Sequence, residues 1–313
     1  MESIMGKQLN LTAIALLSLL LVATVAQARS YDDVIASGYL KVAVYQDYPP
    51  YSFLQQGEAR GVDVEIARAL AQDLGVRLEL DWVIPDESLD DDLRNYIWKG
   101  RVTERDAQAT MLKRPVADVM LRVPYDREYA FKVDPDGRVM NELVHFFAPY
   151  QREQWVIGYH TERMQPFENL AVFQYDRVGV EIDSLPDFYL SGAFRGALRN
   201  NVVHFNRFEQ AVDALLDGEV AAVMGQRAEV EWGLRLSDKL ATISVPLPNL
   251  YKPRWEVGMA VRDGHRQLAY ALTDTVDRLV DSGALAELFG HYGLHYAAPD
   301  HYRSEKLAVK AGH

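Results

Sequence analysis

Tyr45, Tyr48 and Tyr51 crowd around Pro49-Pro50, the break that ends an alternating apolar run. An aromatic ring with a hydroxyl tip suits the wall of a small-molecule cleft, because it covers flat or aliphatic surface and still offers a hydrogen bond. Tyr51 and Phe53 could equally pack the core beneath the turn, which leaves Tyr48 as the strongest ligand candidate. Asp183-Ser184, just ahead of Leu185-Pro186, reads as a helix start with proline in its first turn. Free N–H groups and the positive dipole end there attract anions. Ordinary capping, worth about 1 kcal/mol, is the competing use. Asp86, Glu87, Asp90, Asp91 and Asp92 form a dense carboxylate run. It lacks the glycine and the ligand spacing of an EF-hand loop, so acidic residues complementing a helix N-terminus explain it better than a hard cation does. His291, His295 and His301 come without cysteine partners and read as surface histidines. No metal or other cofactor is expected.

Signatures of catalysis are missing. The chain has no cysteine, no Gly-x-Ser-x-Gly elbow and no phosphate loop of the Gly-Lys-Ser type. A cleft enzyme could work with one acid of raised pKa, for which Glu65, Asp118 or Glu256 can be nominated. None of these stands in a recognisable motif, and the expectation is a binding protein rather than an enzyme.

The elements that would position these residues alternate between strand and helix. Leu40, Val42 and Val44 mark a strand. Ile66, Ala67, Leu70, Ala71 and Leu74 line one helix face, with Gly75 at its end, and Val76, Leu78 and Leu80 mark the next strand. That βαβ unit belongs in a parallel sheet covered by helices. The grammar repeats beyond Trp155. A strand over 178–182 is followed by a helix through Phe208, Ala211, Val212, Leu215 and Leu216 that stops at Gly218. A short strand over 220–224 comes next, then a run from Trp255 to Val261. A long amphipathic helix through Leu268, Leu272, Val276 and Leu279 ends at Gly283, and a smaller one covers 284–290.

Leu9 to Ala26 is an apolar run behind Lys7 that exits through Ala26-Gln27-Ala28. This predicts a cleaved signal peptide over residues 1–28 and an exported, periplasmic product. Without a cysteine there is no disulfide and no lipid anchor at the new N-terminus. Losing residues 1–28 removes Glu2 and Lys7 together, so the net charge of −12 belongs to the folded part. Such acidity repels a phosphate backbone and argues against nucleic acid as a partner. The length exceeds one ordinary core, so two lobes are expected.

Gly38-Tyr39-Leu40-Lys41-Val42-Ala43-Val44, Tyr48-Pro49-Pro50-Tyr51-Ser52-Phe53, Gly61-Val62-Asp63-Val64-Glu65-Ile66-Ala67 and Leu74-Gly75-Val76 resemble the opening of family 3 solute-binding proteins, the amino-acid-type receptors of ABC importers. Ala211 to Met224 is similar to that family's second-lobe helix, glycine and strand. Val257-Gly258-Met259-Ala260-Val261 and Phe289-Gly290-His291-Tyr292-Gly293 are similar to its return and C-terminus. The resemblance implies a two-lobed α/β fold, the periplasmic binding protein type II fold. Each lobe would be a mostly parallel sheet flanked by helices, joined by a two-strand hinge. Lobe one would hold residues 31–150 and 253–296, lobe two residues 151–252, and a tail would follow over 297–313. The Asp183-Ser184 helix start would then face the interlobe cleft. The expected function is capture of a small polar ligand by a monomer for delivery to an ABC permease.

Two departures bear on the ligand. Where the family has an ammonium-binding Asp after the second-lobe strand, this chain has Gln226. The segment that carries the carboxylate-gripping Arg is shortened, leaving Arg122 or Arg127 as substitutes. A zwitterionic amino acid therefore fits poorly. Asp118-Val119-Met120-Leu121, Val123-Pro124, Tyr125-Asp126, Asp92-Leu93-Arg94-Asn95 and Trp98-Lys99-Gly100 also resemble binding-protein-like proteins associated with quinoprotein alcohol or methanol dehydrogenases. That resemblance implies an alternative role, as the accessory protein of a periplasmic dehydrogenase carrying pyrroloquinoline quinone, with the loop from Arg101 to Arg114 as a docking element. A cleft enzyme like the cyclohexadienyl dehydratases is the third alternative. The expected ligand-binding set is Tyr45, Tyr48, Tyr51, Arg122, Arg127, Asp183, Ser184 and Gln226.

Overall fold

A computed structural model describes residues 29–101 and 116–302. The expected leader, the loop beyond Arg101 and the last residues of the expected tail lie outside the described residues.

The first helix, α1 (Tyr31–Ser37), starts at a reciprocal capping box between Ser30 and Asp33 and ends on Gly38 at φ 72°. Next come β1 (Tyr39–Tyr45), a hairpin of β2 (Phe53–Gln55) and β3 (Glu58–Arg60), helix α2 (Val62–Asp73) and β4 (Arg77–Val83). Strands β1 and β4 pair in parallel over their whole lengths, so the βαβ unit read from the apolar spacing is present, with α2 burying Val62, Ile66, Ala67 and Leu70. The hairpin was not expected. Its turn sits on Gln56 and Gly57, both at positive φ, and its strands are too short to carry an alternating pattern.

The acidic run is a helix start. Ser88 caps α3 (Leu89–Leu93), which continues as one π turn over Arg94–Trp98. Asp92, however, is buried and accepts hydrogen bonds from the Tyr45 hydroxyl at 2.9 Å and the Asp86 N–H at 2.8 Å. Strand β5 (Val119–Pro124) and the short α4 (Arg127–Ala130) lead into β6 (Val144–His160). Beyond it come β7 (Val178–Glu181), α5 (Leu185–Gly196), β8 (Val202–Phe205), α6 (Phe208–Asp217), β9 (Ala222–Gln226), α7 (Arg227–Leu234) and β10 (Leu240–Ile243). The chain then returns through β11 (Arg254–Arg262), α8 (Arg266–Asp281) and α9 (Ala284–His291).

The strand order is β4-β1-β5-β11-β6-β9-β7-β8, with β10 also on β6. Strand β6 is the shared element. Its first part pairs with β11 and its last part with β9 and β10. On one side Leu40, Val42, Ile66, Leu70, Met259, Leu272 and Val276 form a core under α2 and α8, and Ala43, Leu93, Ile97 and Met120 form a second layer on the opposite face. On the other side Phe173, Val178, Val180, Leu190 and Met224 pack together, and Phe208, Ala211, Leu215 and Val230 seat α6 and α7. This is the two-lobed α/β architecture, with helices covering both faces. The chain crosses back beside β6, where the Trp155 N–H donates to the Pro253 carbonyl at 3.2 Å and the Trp155 and Trp255 rings pack with centroids 4.8 Å apart.

Where the lobes meet, the sheet is bulged. Val123 pairs with Gly258 and Leu121 with Met259, leaving Arg122 outside the ladder at φ 60°. Strand β6 is irregular at the same level, with Ala148 at φ 44°. A Cβ on Gly258 would lie 2.7 Å from the Phe147 carbonyl oxygen, so only glycine allows the strands this approach. Bulges re-aim side chains at sheet edges and sites, and here the side chain re-aimed is Arg122. No helix among the described residues is long and apolar enough to cross a membrane.

Candidate functional site

A cleft of about 580 Å³ opens between the lobes, within the range of small-molecule sites. Lobe one supplies Tyr45, Tyr48 and Arg122, lobe two supplies Phe208, Gln226 and Glu229, and Trp255 lines it from the crossover.

Tyr48 and Gln226 face each other across the gap. The Gln226 amide donates to the Tyr48 hydroxyl at 2.6 Å, joining the end of β9 to the turn after β1. Arg122 lies at the floor with its side chain only 7% exposed. Its Nε donates to Asp63 at 2.6 Å, and its Nη2 donates to Asp63 and to the Gln151 carbonyl oxygen, each at 3.0 Å. Its Nη1 is buried without a hydrogen-bond partner among the described residues. Asp63 also accepts from the Tyr150 hydroxyl at 2.9 Å. Tyr45 lines the wall with its hydroxyl committed to Asp92.

The other expected residues lie elsewhere. Tyr51 is fully buried beneath the floor, its ring 3.3 Å from the Arg122 guanidinium and its hydroxyl donating to Glu153 at 3.0 Å. Packing claims it. Arg127 is exposed in the first turn of α4, away from the cleft. Asp183 and Ser184 do not line the cleft, and the start of α5 is satisfied internally. The Ser184 hydroxyl accepts from the Asp187 N–H at 3.3 Å, and the Asp183 N–H donates to the Asp187 carboxylate at 3.0 Å. An anion would meet Asp187, a negative charge already in place. The nominated acids are also committed outside the cleft. Glu65 pairs with Arg68 at 2.6 Å, Asp118 holds Arg29 and the Lys41 N–H, and Glu256 accepts from the Asp300 N–H.

The acid that the sequence reading missed is Glu229. It stands in the first turn of α7, where an acidic residue is what any helix start would show. Only tertiary packing reveals its position. Helix α7 is pressed onto lobe one through Ala228, which joins Tyr51, Val62 and Phe289 in one cluster, and through Trp232, whose ring meets Phe53 at 5.6 Å and Tyr292 at 6.1 Å. Glu229 is half-buried and lines the cleft. Burial first, then the negative charges of Glu181 and Glu153, push its carboxyl up to about 8, against the pull of the Tyr48 hydroxyl. Glu153 lies deeper. It accepts from Tyr51, from the Gln151 amide at 2.8 Å and from the N–H groups of Gln154 at 2.9 Å and Arg227 at 3.1 Å. One carboxylate thus ties the floor of lobe one to the start of α7 in lobe two. Burial raises its pKa, though the Gln154 N–H, the charge of Arg122 and the Tyr51 hydroxyl oppose the shift. Among the described residues no group of His, Asp and Glu is arranged to hold a metal ion.

Residues 40–94 match the model of the bacterial extracellular solute-binding proteins, family 3. A cyclohexadienyl dehydratase of Pseudomonas aeruginosa is 41% identical over 68 residues, which is 21% of this chain. The match spans 25% of that curated relative. Among solved structures, an ancestral cationic amino acid solute-binding protein superposes with a TM-score of 0.63 at 16% identity, covering 84% of this chain and 99% of its own. An amino acid ABC transporter substrate-binding protein of Streptococcus pneumoniae, bound to L-arginine, gives 0.58 at 20% identity over 86% of this chain and 100% of its own. The L-cysteine solute receptor of Neisseria gonorrhoeae gives 0.54 at 18% identity, over 84% and 93%. At such identities the likeness is one of fold. The chain therefore carries the sequence signature of the family 3 solute-binding proteins from β1 through α3 and, across its described residues, the two-lobed type II fold of their receptors.

Proposed function

We propose that the protein is an exported, periplasmic receptor that holds a small polar solute between its lobes and presents it to an ABC-type importer. The carrying observation is the cleft itself, about 580 Å³, bridged by the Tyr48–Gln226 hydrogen bond. A solute seated beside that bond touches both lobes at once, and contacts available only in the closed state shift the open–closed equilibrium. Export rests on the leader read over residues 1–28. The quinoprotein-accessory role draws on short resemblances and on a loop outside the described residues, and no feature of the cleft supports it.

A thermal-shift panel of amines, amino acids, sugars and organic acids tests the receptor reading. One chemical class should raise the melting temperature by several degrees through mass action. Tyr48→Ala and Gln226→Ala should each then weaken affinity at least tenfold, about 1.4 kcal/mol. Wild-type affinity in both variants would place the solute outside the cleft.

One observation favours a second reading. Glu229 is a carboxyl kept protonated near neutral pH inside a cleft, the state a general acid needs, and the curated relative named above is a dehydratase. Dehydration of a cyclohexadienol yields an aromatic ring. New aromatic absorbance on incubation with such a substrate, lost in Glu229→Gln, would establish this reading; unchanged absorbance is expected of a receptor.

A further inference from the structure

We infer that the solute is an organic cation without a carboxylate, an amine, amidine or guanidine held between Glu229 and the aromatic wall of the cleft. The inference rests on the receptor reading above.

Carboxyl groups outnumber arginines around the cleft. Asp47, Glu181, Glu209 and Glu229 line it against Arg122 and Arg207. Both arginines are spoken for. Arg207 pairs with Glu209 at 3.2 Å and Arg122 with Asp63 at 2.6 Å. Glu181 and Glu229 have no ion-pair partner among the described residues, and the charge of Glu181 adds to burial in holding the Glu229 carboxyl above its ordinary range. A bound cation is the group that would draw the proton off Glu229 and complete an ion pair there. Tyr45, Tyr48, Phe208 and Trp255 supply ring area on the same walls, and ring faces attract organic cations.

The other end of the cleft argues against a carboxylate. Arg recognises carboxylates through a two-donor edge, and Arg122 has given such an edge to Asp63 through Nε and Nη2. What remains is Nη1, one buried nitrogen whose N–H groups have no partner among the described residues. Two N–H groups diverging from one nitrogen suit a hydroxyl, a carbonyl or a water, whereas a carboxylate there would stand beside Asp63 without a parallel fork, because Nη2 is committed to Asp63 and Gln151. On the lobe-two wall, Gln226 offers a neutral amide already bonded to Tyr48. The carboxylate of an α-amino acid thus finds no free guanidinium fork, while a simple cation finds Glu229.

Calorimetry with the exported protein tests this directly, using agmatine against L-arginine and putrescine against L-ornithine. Each pair shares its cationic end and differs in the carboxylate. The decarboxylated member should bind at least tenfold more tightly, and Glu229→Gln should lose at least tenfold of that affinity while melting no lower than the parent. Arginine or ornithine binding as tightly as its amine would overturn the inference. If neutral or anionic members of the wider panel bind and the amines do not, the cation inference falls and the receptor reading stands. If nothing in the panel binds, both fall.

Discussion

Asp63→Asn should lower the folding free energy by roughly 3–5 kcal/mol, the cost of leaving a buried charge without its counterion. Asp63 is 1% exposed and sits in the first turn of α2, where its carboxylate receives two N–H groups of Arg122 and the hydroxyl of Tyr150. An amide is nearly the same size but brings no charge, and its NH₂ would turn a donor toward donors. The guanidinium cannot escape by deprotonation. It is pinned between Gln151 and the Tyr51 ring, on a strand bulged at φ 60°. Adding Arg122→Met to the variant removes the stranded charge, so the double variant should recover part of the loss. Urea denaturation measures all three proteins. A loss under about 1 kcal/mol for Asp63→Asn, in the range of exposed pairs, would mean that the guanidinium reaches water through the cleft.

The empty protein should lose stability as pH rises from about 5 to about 8, an effect of about 6 kcal/mol at most if one unit of pKa shift is worth about 1.4 kcal/mol. In the folded protein Glu229 titrates at about 8 and Glu231 at about 7, both raised chiefly by burial from an ordinary value of 4.5. For Glu231 the N–H of His295 and the charge of Arg227 oppose the rise. Below the ordinary value both states hold these protons and nothing is lost. Above it the unfolded chain has released them while the folded chain still binds them, so stability falls until the folded groups titrate. Residual solvent in the cleft reduces the magnitude for Glu229. Glu229→Gln removes one of these protons from the balance. That variant should fall less steeply and should be the more stable protein near pH 8. A wild-type curve that stays flat across the window would show that the cleft hydrates Glu229.

Much of the fold was legible because its helices are amphipathic and end on glycine. The stop of α6 at Gly218 and that of α8 just before Gly283 follow from apolar spacing and from the left-handed backbone seen there, φ 75° and 82°. Strand β6 was not legible. Gln151 and Glu153 are buried at its centre, and a strand that hides polar side chains at a hinge has no alternating pattern to read. The site was half legible for the same reason. Tyr45, Tyr48 and Gln226 could be placed from a strand exit and a family position, and the structure brings all three to the cleft. The choice between Arg122 and Arg127 turned on a bulge that depends on Ala148 and Gly258, residues on other strands. Tyr51 could have gone either way until Glu153 was seen to take its hydroxyl. Glu229 carried no signal of its own. Its neighbours Ala228 and Trp232 bury it by docking α7 on the other lobe.

The most direct test is a crystal structure of the protein with the solute that raises its melting temperature most. Density between the lobes, in contact with Tyr48, Gln226 and Glu229 and covered by Trp255, is the expected result. A solute bound elsewhere while the cleft between those four residues stays empty would contradict it.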